Sequence, residues 1–460
     1  MTRLPHLSLL PRVARAFSLR LILLGIFGAM LCNPIAVALA AEIVPIRSVT
    51  TNGITVLFLE QHFIPTVEIH ALVKVGSAQD PPDKAGLANL TASLLDEGTL
   101  TRTSRQFAEQ IDFVGGSLEA HAAEDFTTAS GRVLKKDADL GFALLADMLQ
   151  HPAFHKQEVE RVRTQILGEI VSDDDDPGNV AMKAFHQLIF HGHPYSWPAH
   201  GTEETLNRIT VADIQQFHAR EYLPNQTILV IVGDLSQEQA TNLVQTHFGS
   251  WKKGPSSSYT LKKPAPIERK MVQLIEKDLT QSTIVLGHTG ISRTNPDYYA
   301  VTVMNYILGA GGFSSRLMDS IRDKQGLAYG IMSHFDTRLM PGAFFINLQT
   351  RTDVTNQAIT GVLTELKGIR EAPVTDQELS EAKSFIIGSF PLRVDSSAKL
   401  ANVLAQVEFY NLGLDYFTQY PKAIEKVTKD DVLRVAKQYL DPQHYALVVV
   451  GSIAKAKVKQ

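Results

Sequence analysis

The sequence predicts an α+β protein of two homologous lobes, each a mostly antiparallel sheet covered by helices, joined by a linker. Three observations carry this expectation. Segments recur at a spacing of about 220 residues, each period runs from alternating strands into long amphipathic helices, and a Pro/Ser/Lys-rich stretch separates the two periods. The chain has 460 residues, 44% of them hydrophobic and 20% charged. That is too long for one ordinary core and suits two domains of roughly 200 residues each.

Residues 1–40 differ from the rest. They carry Arg3, Arg12, Arg15 and Arg20 and no acid, then an apolar run from Leu21 to Cys32, then Ala38-Leu39-Ala40. A basic region, a short apolar core and an Ala-x-Ala end predict a secretory signal peptide cut after Ala40. An uncleaved anchor is the alternative. The only cysteine, Cys32, lies in this segment, so the mature chain has no thiol, which suits an oxidising compartment such as a periplasm. Removing four arginines from 44 basic side chains leaves 40 against 48 acidic ones, a net charge of −8 that disfavours nucleic acid.

The N-terminal lobe is expected over 41–251. It begins with strands at Ile54–Leu59 and Val67–Val75 and ends with Thr210-Val-Ala-Asp213, a helix, Tyr222-Leu-Pro224 and the apolar strand Ile228–Gly233. The second lobe, over 271–460, begins with strands at Met271–Ile275 and Ser282–Leu286. It ends in the same way with Thr428-Lys-Asp-Asp431, Tyr439-Leu-Asp-Pro442 and Ala446–Gly451. Each Thr with an acid three residues on is a capping box. Glu158–Gly168 and Glu378–Gly388 are matching helical stretches. The linker, 252–270, is poor in core residues and is expected to tether the lobes without fixing their geometry, consistent with a cleft that opens and closes, and helices are expected on one face of each sheet.

Four stretches add a further signal: Gly86 to Thr99, Glu160-Arg161 with Glu169-Ile170, His193-Pro-Tyr-Ser-Trp-Pro-Ala-His-Gly201, and Ser314 to Tyr329. In this order and inside a duplicated chain, they resemble the pitrilysin/insulinase family of inverted zinc peptidases. The family motif H-x-x-E-H puts two His and a general base on one helix face, and a carboxylate from another helix completes the metal site. Here the motif positions are Asn89, Ala92 and Ser93, Val162 replaces a neighbouring acid, and Glu169 remains downstream. No metal is therefore assigned, and Glu169 is expected to be salt-bridged or capping.

Other histidines give no substitute site. His186, His191, His193 and His200 cluster in sequence, His218-Ala-Arg-Glu221-Tyr222 only approximates the motif, and His121 to Asp125 falls in a predicted strand where i and i+4 diverge. No nucleophile elbow or phosphate loop is present. Gly309-Ala-Gly-Gly312 permits either close backbone approach to a peptide or a tight turn.

The second-lobe signature keeps a polar pair, Arg322 near the end of a helix from about 315 to 324 and Tyr329 at the start of the next strand. The resemblance implies that these two are a substrate clamp, and that the chain is the zinc-free subunit of a heterodimeric metalloendopeptidase, inactive alone. The zinc, none in this chain, is then expected in a homologous partner, with peptides or unfolded polypeptides as substrate. An inert assembly scaffold and a peptide-binding chaperone remain alternatives. N-terminal sequencing of the exported protein is predicted to begin at Ala41; a chain that still starts at Met1 contradicts the cleavage.

Overall fold

The computed structural model describes residues 43–255 and 260–459; the expected signal peptide lies outside them. Eleven strands appear among these residues: β1 (Ile46–Val49), β2 (Thr55–Glu60), β3 (Thr66–Val73), β4 (Ser117–Ala122), β5 (Thr127–Leu134) and β6 (Thr227–Gly233), then β7 (Met271–Glu276), β8 (Gln281–Thr289), β9 (Ala328–Asp336), β10 (Ala343–Arg351) and β11 (Ala446–Gly451). The first six form one sheet in the order β1-β2-β6-β3-β5-β4, and the last five form a second in the order β7-β11-β8-β10-β9. The second order repeats the first from β2 onward. In each sheet the final strand runs parallel to the opening one, β6 beside β2 and β11 beside β7, and every other pair is antiparallel.

The 220-residue spacing also relates the helices. Lys156–Asp175 corresponds to Asp376–Ser389, and Pro177–Ile189 to Ser397–Phe409. The predicted capping boxes close at Thr210 with Asp213 and at Thr428 with Asp431. Each satisfies backbone N–H groups that a helix start leaves without partners.

The packing corrects two expectations. Helices lie on both faces of each sheet, and the halves are not free of each other. In the first sheet one face, with Val67, Ile69, Ala71, Leu229 and Ile231, builds a core with helices of the first half alone. The opposite face is covered by Ser397–Phe409 from the second half, which crosses β3 and β6 and buries Leu400, Ala401, Leu404, Ala405 and Val407. Reciprocally, Pro177–Ile189 from the first half lies across β8 and β11, setting Ala181, Ala184, Phe185 and Ile189 against Val285, Ala446, Val448 and Val450. Each half lends the other one helix, and Pro45–Gln460 forms a single compact unit. The linker adds pins: Leu261 is buried, and the Lys262 carbonyl bonds to His193 Nε2 at 2.8 Å.

A polar seam reinforces this exchange. In the β4–β5 turn, Asp125 accepts hydrogen bonds from the Tyr195 hydroxyl and, at 2.7 Å, from the Leu339 N–H of the second half. Arg338, only 8% exposed, pairs with Glu124 at 2.9 Å and Asp336 at 2.8 Å, and its guanidinium lies 4.8 Å from the Tyr195 ring centre. A buried guanidinium persists only when paired in this way. The His193–Gly201 loop thus serves to join the halves.

Beneath the borrowed helix, β3 carries Glu68 and His70 on the same face, each 6% exposed. Among the described residues, Glu68 Oε2 and His70 Nε2 have no hydrogen-bond partner. Burial pushes the Glu68 carboxyl up to about 7, with Arg132 opposing and Glu119 adding to the rise. Burial also pushes His70 down to about 4. For Glu68 the folded state prefers the protonated form, so its contribution is fully present below the ordinary value of 4.5 and is lost as pH rises through about 7. Glu68→Gln is predicted to stabilise the chain at pH 8 by on the order of 2–3 kcal/mol and to change little at pH 4. Denaturant melts at both pH values check this, and an equal effect at the two would contradict it.

Candidate functional site

Leu87–Ala92 is a short helix capped by Gly86 in a left-handed conformation, and it carries the degenerate metal motif. Ala92 is fully buried, and Asn89 and Ser93 are half-buried at the helix surface. The donor set does not suit zinc: one amide, one methyl and one hydroxyl occupy the positions of imidazole, carboxylate and imidazole. Among the described residues no three His, Cys, Asp or Glu side chains converge closely enough to hold a metal ion.

Among the described residues Glu169 has no salt-bridge partner and caps no helix, which corrects the expectation. It stands exposed in the middle of Lys156–Asp175 and accepts a hydrogen bond from Gln165 at 3.2 Å. A different contact ties that helix to the segment after the motif. Arg161 pairs with Glu97, and with Glu158 at 2.8 Å, while the Ser104 hydroxyl donates to Glu97 at 2.8 Å. An ion pair thus bridges the two segments that a metal would otherwise join. Nearby, burial and then Glu97 push the Asp96 carboxyl up to about 6.

The remaining histidines divide by environment. His186 and His200 line a cavity of about 170 Å³ with Asp173 and Asp174, and His200 Nε2 is 3.9 Å from Asp173. Burial lowers both imidazoles, His186 to about 4. His191 is exposed on a turn, and His193 binds the linker as described. His218 Nε2 donates to the Leu149 carbonyl at 2.9 Å, and its ring stacks on Tyr222. His121 lies exposed on β4, apart from Glu124 and Asp125, which belong to the seam between the halves.

Arg322 and Tyr329 are brought together. The predicted helix is present but wound unusually: after one short α-turn, Met318–Lys324 adopts π geometry, as does Tyr306–Ala310 before it. Such windings are rare and recur at functional sites. Arg322 Nη1 donates to Asp323 at 2.8 Å, and the guanidinium carbon lies 6.0 Å from the Tyr329 ring centre.

Tyr329 is 89% exposed because β9 is bulged there. Ile331 faces Leu348 and Ala328 faces Thr350, so Tyr329 and Gly330 together oppose the single residue Gln349. Ala328 and Ile331 are both buried yet three residues apart; only an inserted residue lets a two-residue alternation hide both. The bulge therefore aims Tyr329 outward. Sequence reasoning missed it, although the spacing of those apolar residues with Gly330 between them carries the signal. The Gly-rich segment forms a tight turn. Gly312 has φ +57°, and a Cβ at Gly309 would come 2.5 Å from Ser333 Oγ on β9.

Comparison with known proteins agrees with this architecture. The family described as insulinase (peptidase family M16) matches residues 55–203, and the peptidase M16 inactive domain matches residues 208–386. An uncharacterized zinc protease of Mycobacterium leprae is 30% identical over 420 residues, covering 89% of this chain and 92% of that one. A non-peptidase homolog of Helicobacter pylori, YmxG, is 26% identical over 439 residues, 95% of this chain and 98% of its own. The crystal structure of a peptidase M16 inactive domain from Pseudomonas fluorescens matches with a TM-score of 0.84 at 29% identity, over 88% of this chain and 97% of that one. This chain belongs to the insulinase family, peptidase family M16, and it does so without that family's metal-binding motif.

Tyr329→Ala is predicted to leave folding stability within about 0.5 kcal/mol of wild type, as for an exposed side chain outside the core. Thermal melts test this; a loss of several kcal/mol would make Tyr329 a packing residue.

Proposed function

We propose that this chain is the zinc-free subunit of a two-chain metalloendopeptidase, exported by its N-terminal segment. In this reading it holds no metal itself and positions peptide for a homologous zinc-bearing partner. The observation that carries the reading is a paired one. The metal motif is replaced by Asn89, Ala92 and Ser93, while Arg322 and Tyr329 stand side by side and reach solvent on a bulge and a π-wound helix.

The partner supplies the metal and the general base; this chain supplies donors. A peptide carbonyl under attack develops negative charge on oxygen. A phenol O–H aimed at that oxygen stabilises it more than the ground-state carbonyl, which accelerates the step. A guanidinium holds a second carbonyl or a carboxylate in register. Neither group performs hydrolysis alone, so a lone chain is expected to be inert.

Hydrolysis of an internally quenched peptide is predicted to require both chains. It should fall about 100- to 1,000-fold in Tyr329→Phe, the cost of losing one oxyanion donor, and by a comparable amount in Arg322→Ala. Full activity from the partner alone, or indifference to both substitutions, would make this chain a scaffold.

A further inference from the structure

The site holds a third side chain whose exposure nothing in the fold requires. The turn after the first π segment is closed by hydrogen bonds. The Gly311 N–H donates to the Tyr306 carbonyl at 2.9 Å, and the Ser315 N–H and hydroxyl donate to the Gly312 carbonyl at 3.0 and 2.7 Å. With Gly312 in the left-handed region, this turn presents Phe313 at 72% exposure. An aromatic ring held in water on an ordered turn forgoes the transfer free energy that burial gives.

Its ring partner among the described residues is Arg322, whose guanidinium carbon lies 4.9 Å from the ring centre. Arg322 thus stands near two exposed rings, Phe313 and Tyr329. Cation–π contact engages ring faces and leaves in-plane N–H groups of a guanidinium for carbonyl acceptors. The apolar surface also continues. A Cβ at Gly311 would come 2.9 Å from the Tyr306 ring, and that ring meets Phe385, 57% exposed, at 5.0 Å between centres.

We infer that Phe313 is a specificity-determining residue of this site: its ring takes an apolar side chain of an extended peptide whose backbone carbonyl Arg322 holds. The inference rests on the peptide-positioning function proposed above and names the substrate class for it. A donor for the backbone beside a ring for the side chain recognises a peptide in a way that neither does alone, and it selects among peptides by their apolar residues. Phe313 acts on binding, not on the chemical step.

The test uses the full mature chain and two dye-labelled, unstructured Gly/Ser/Gln peptides, one with a central Leu-Phe pair and one with Ser-Ser in its place, measured by fluorescence anisotropy. Wild type is expected to prefer the Leu-Phe peptide. Phe313→Ala should cut that preference roughly three- to tenfold without changing the melting temperature, and Phe313→Tyr should restore it. Arg322→Ala should weaken both peptides alike. Binding of neither peptide, equal binding of both by wild type, or an undiminished preference in Phe313→Ala overturns the inference. If Arg322→Ala weakens both peptides while Phe313→Ala is silent, the clamp stands and this inference alone falls. If Arg322→Ala is silent too, the clamp falls with it.

Discussion

Each sheet has two faces to bury, and each half covers only one of them with its own helices. The second face of each is closed by a helix from the other half, Ser397–Phe409 on β3 and β6 and Pro177–Ile189 on β8 and β11. This exchange fixes everything else. It makes the two repeats one compact body, sets the β4–β5 and β9–β10 turns against each other at Arg338 and Asp125, and leaves β9 and its π-wound neighbour at one end of the second sheet. A hinge between the halves would expose both borrowed faces at once. Opening and closing within this chain is therefore costly.

Much of this was legible in the sequence, because duplication leaves local marks. The capping boxes at Thr210 and Thr428, the buried runs Ile228–Gly233 and Ala446–Gly451, and the alternation that opens each half all act over a few residues. What escaped is non-local. Nothing in the amphipathic pattern of Pro177–Ile189 says which sheet its apolar face meets. The linker's Pro and Ser content suggested freedom, yet Leu261 and the Lys262 carbonyl are held by the fold. The π winding around Arg322 leaves no mark in the hydrophobic pattern, and the bulge at Tyr329 shows only in the three-residue spacing of the buried Ala328 and Ile331.

The two ends of the candidate chemistry differ in physical kind. Around Asn89, Ala92 and Ser93 the side chains are an amide, a methyl and a hydroxyl, and the half-exposed Arg161–Glu97 ion pair bridges the neighbouring segments. Around Arg322 stand the exposed rings of Phe313 and Tyr329, displayed by hydrogen-bonded backbone. An exposed Tyr and Phe beside one guanidinium contribute little to a monomer's stability. Their arrangement has a purpose if something else completes it.

The most direct measurement is native mass spectrometry, with metal analysis, of the assembly that forms around the tagged chain in its own cell. The account predicts this chain with one homologous partner and one zinc per pair. A homodimer, or a stable assembly without zinc, would contradict it.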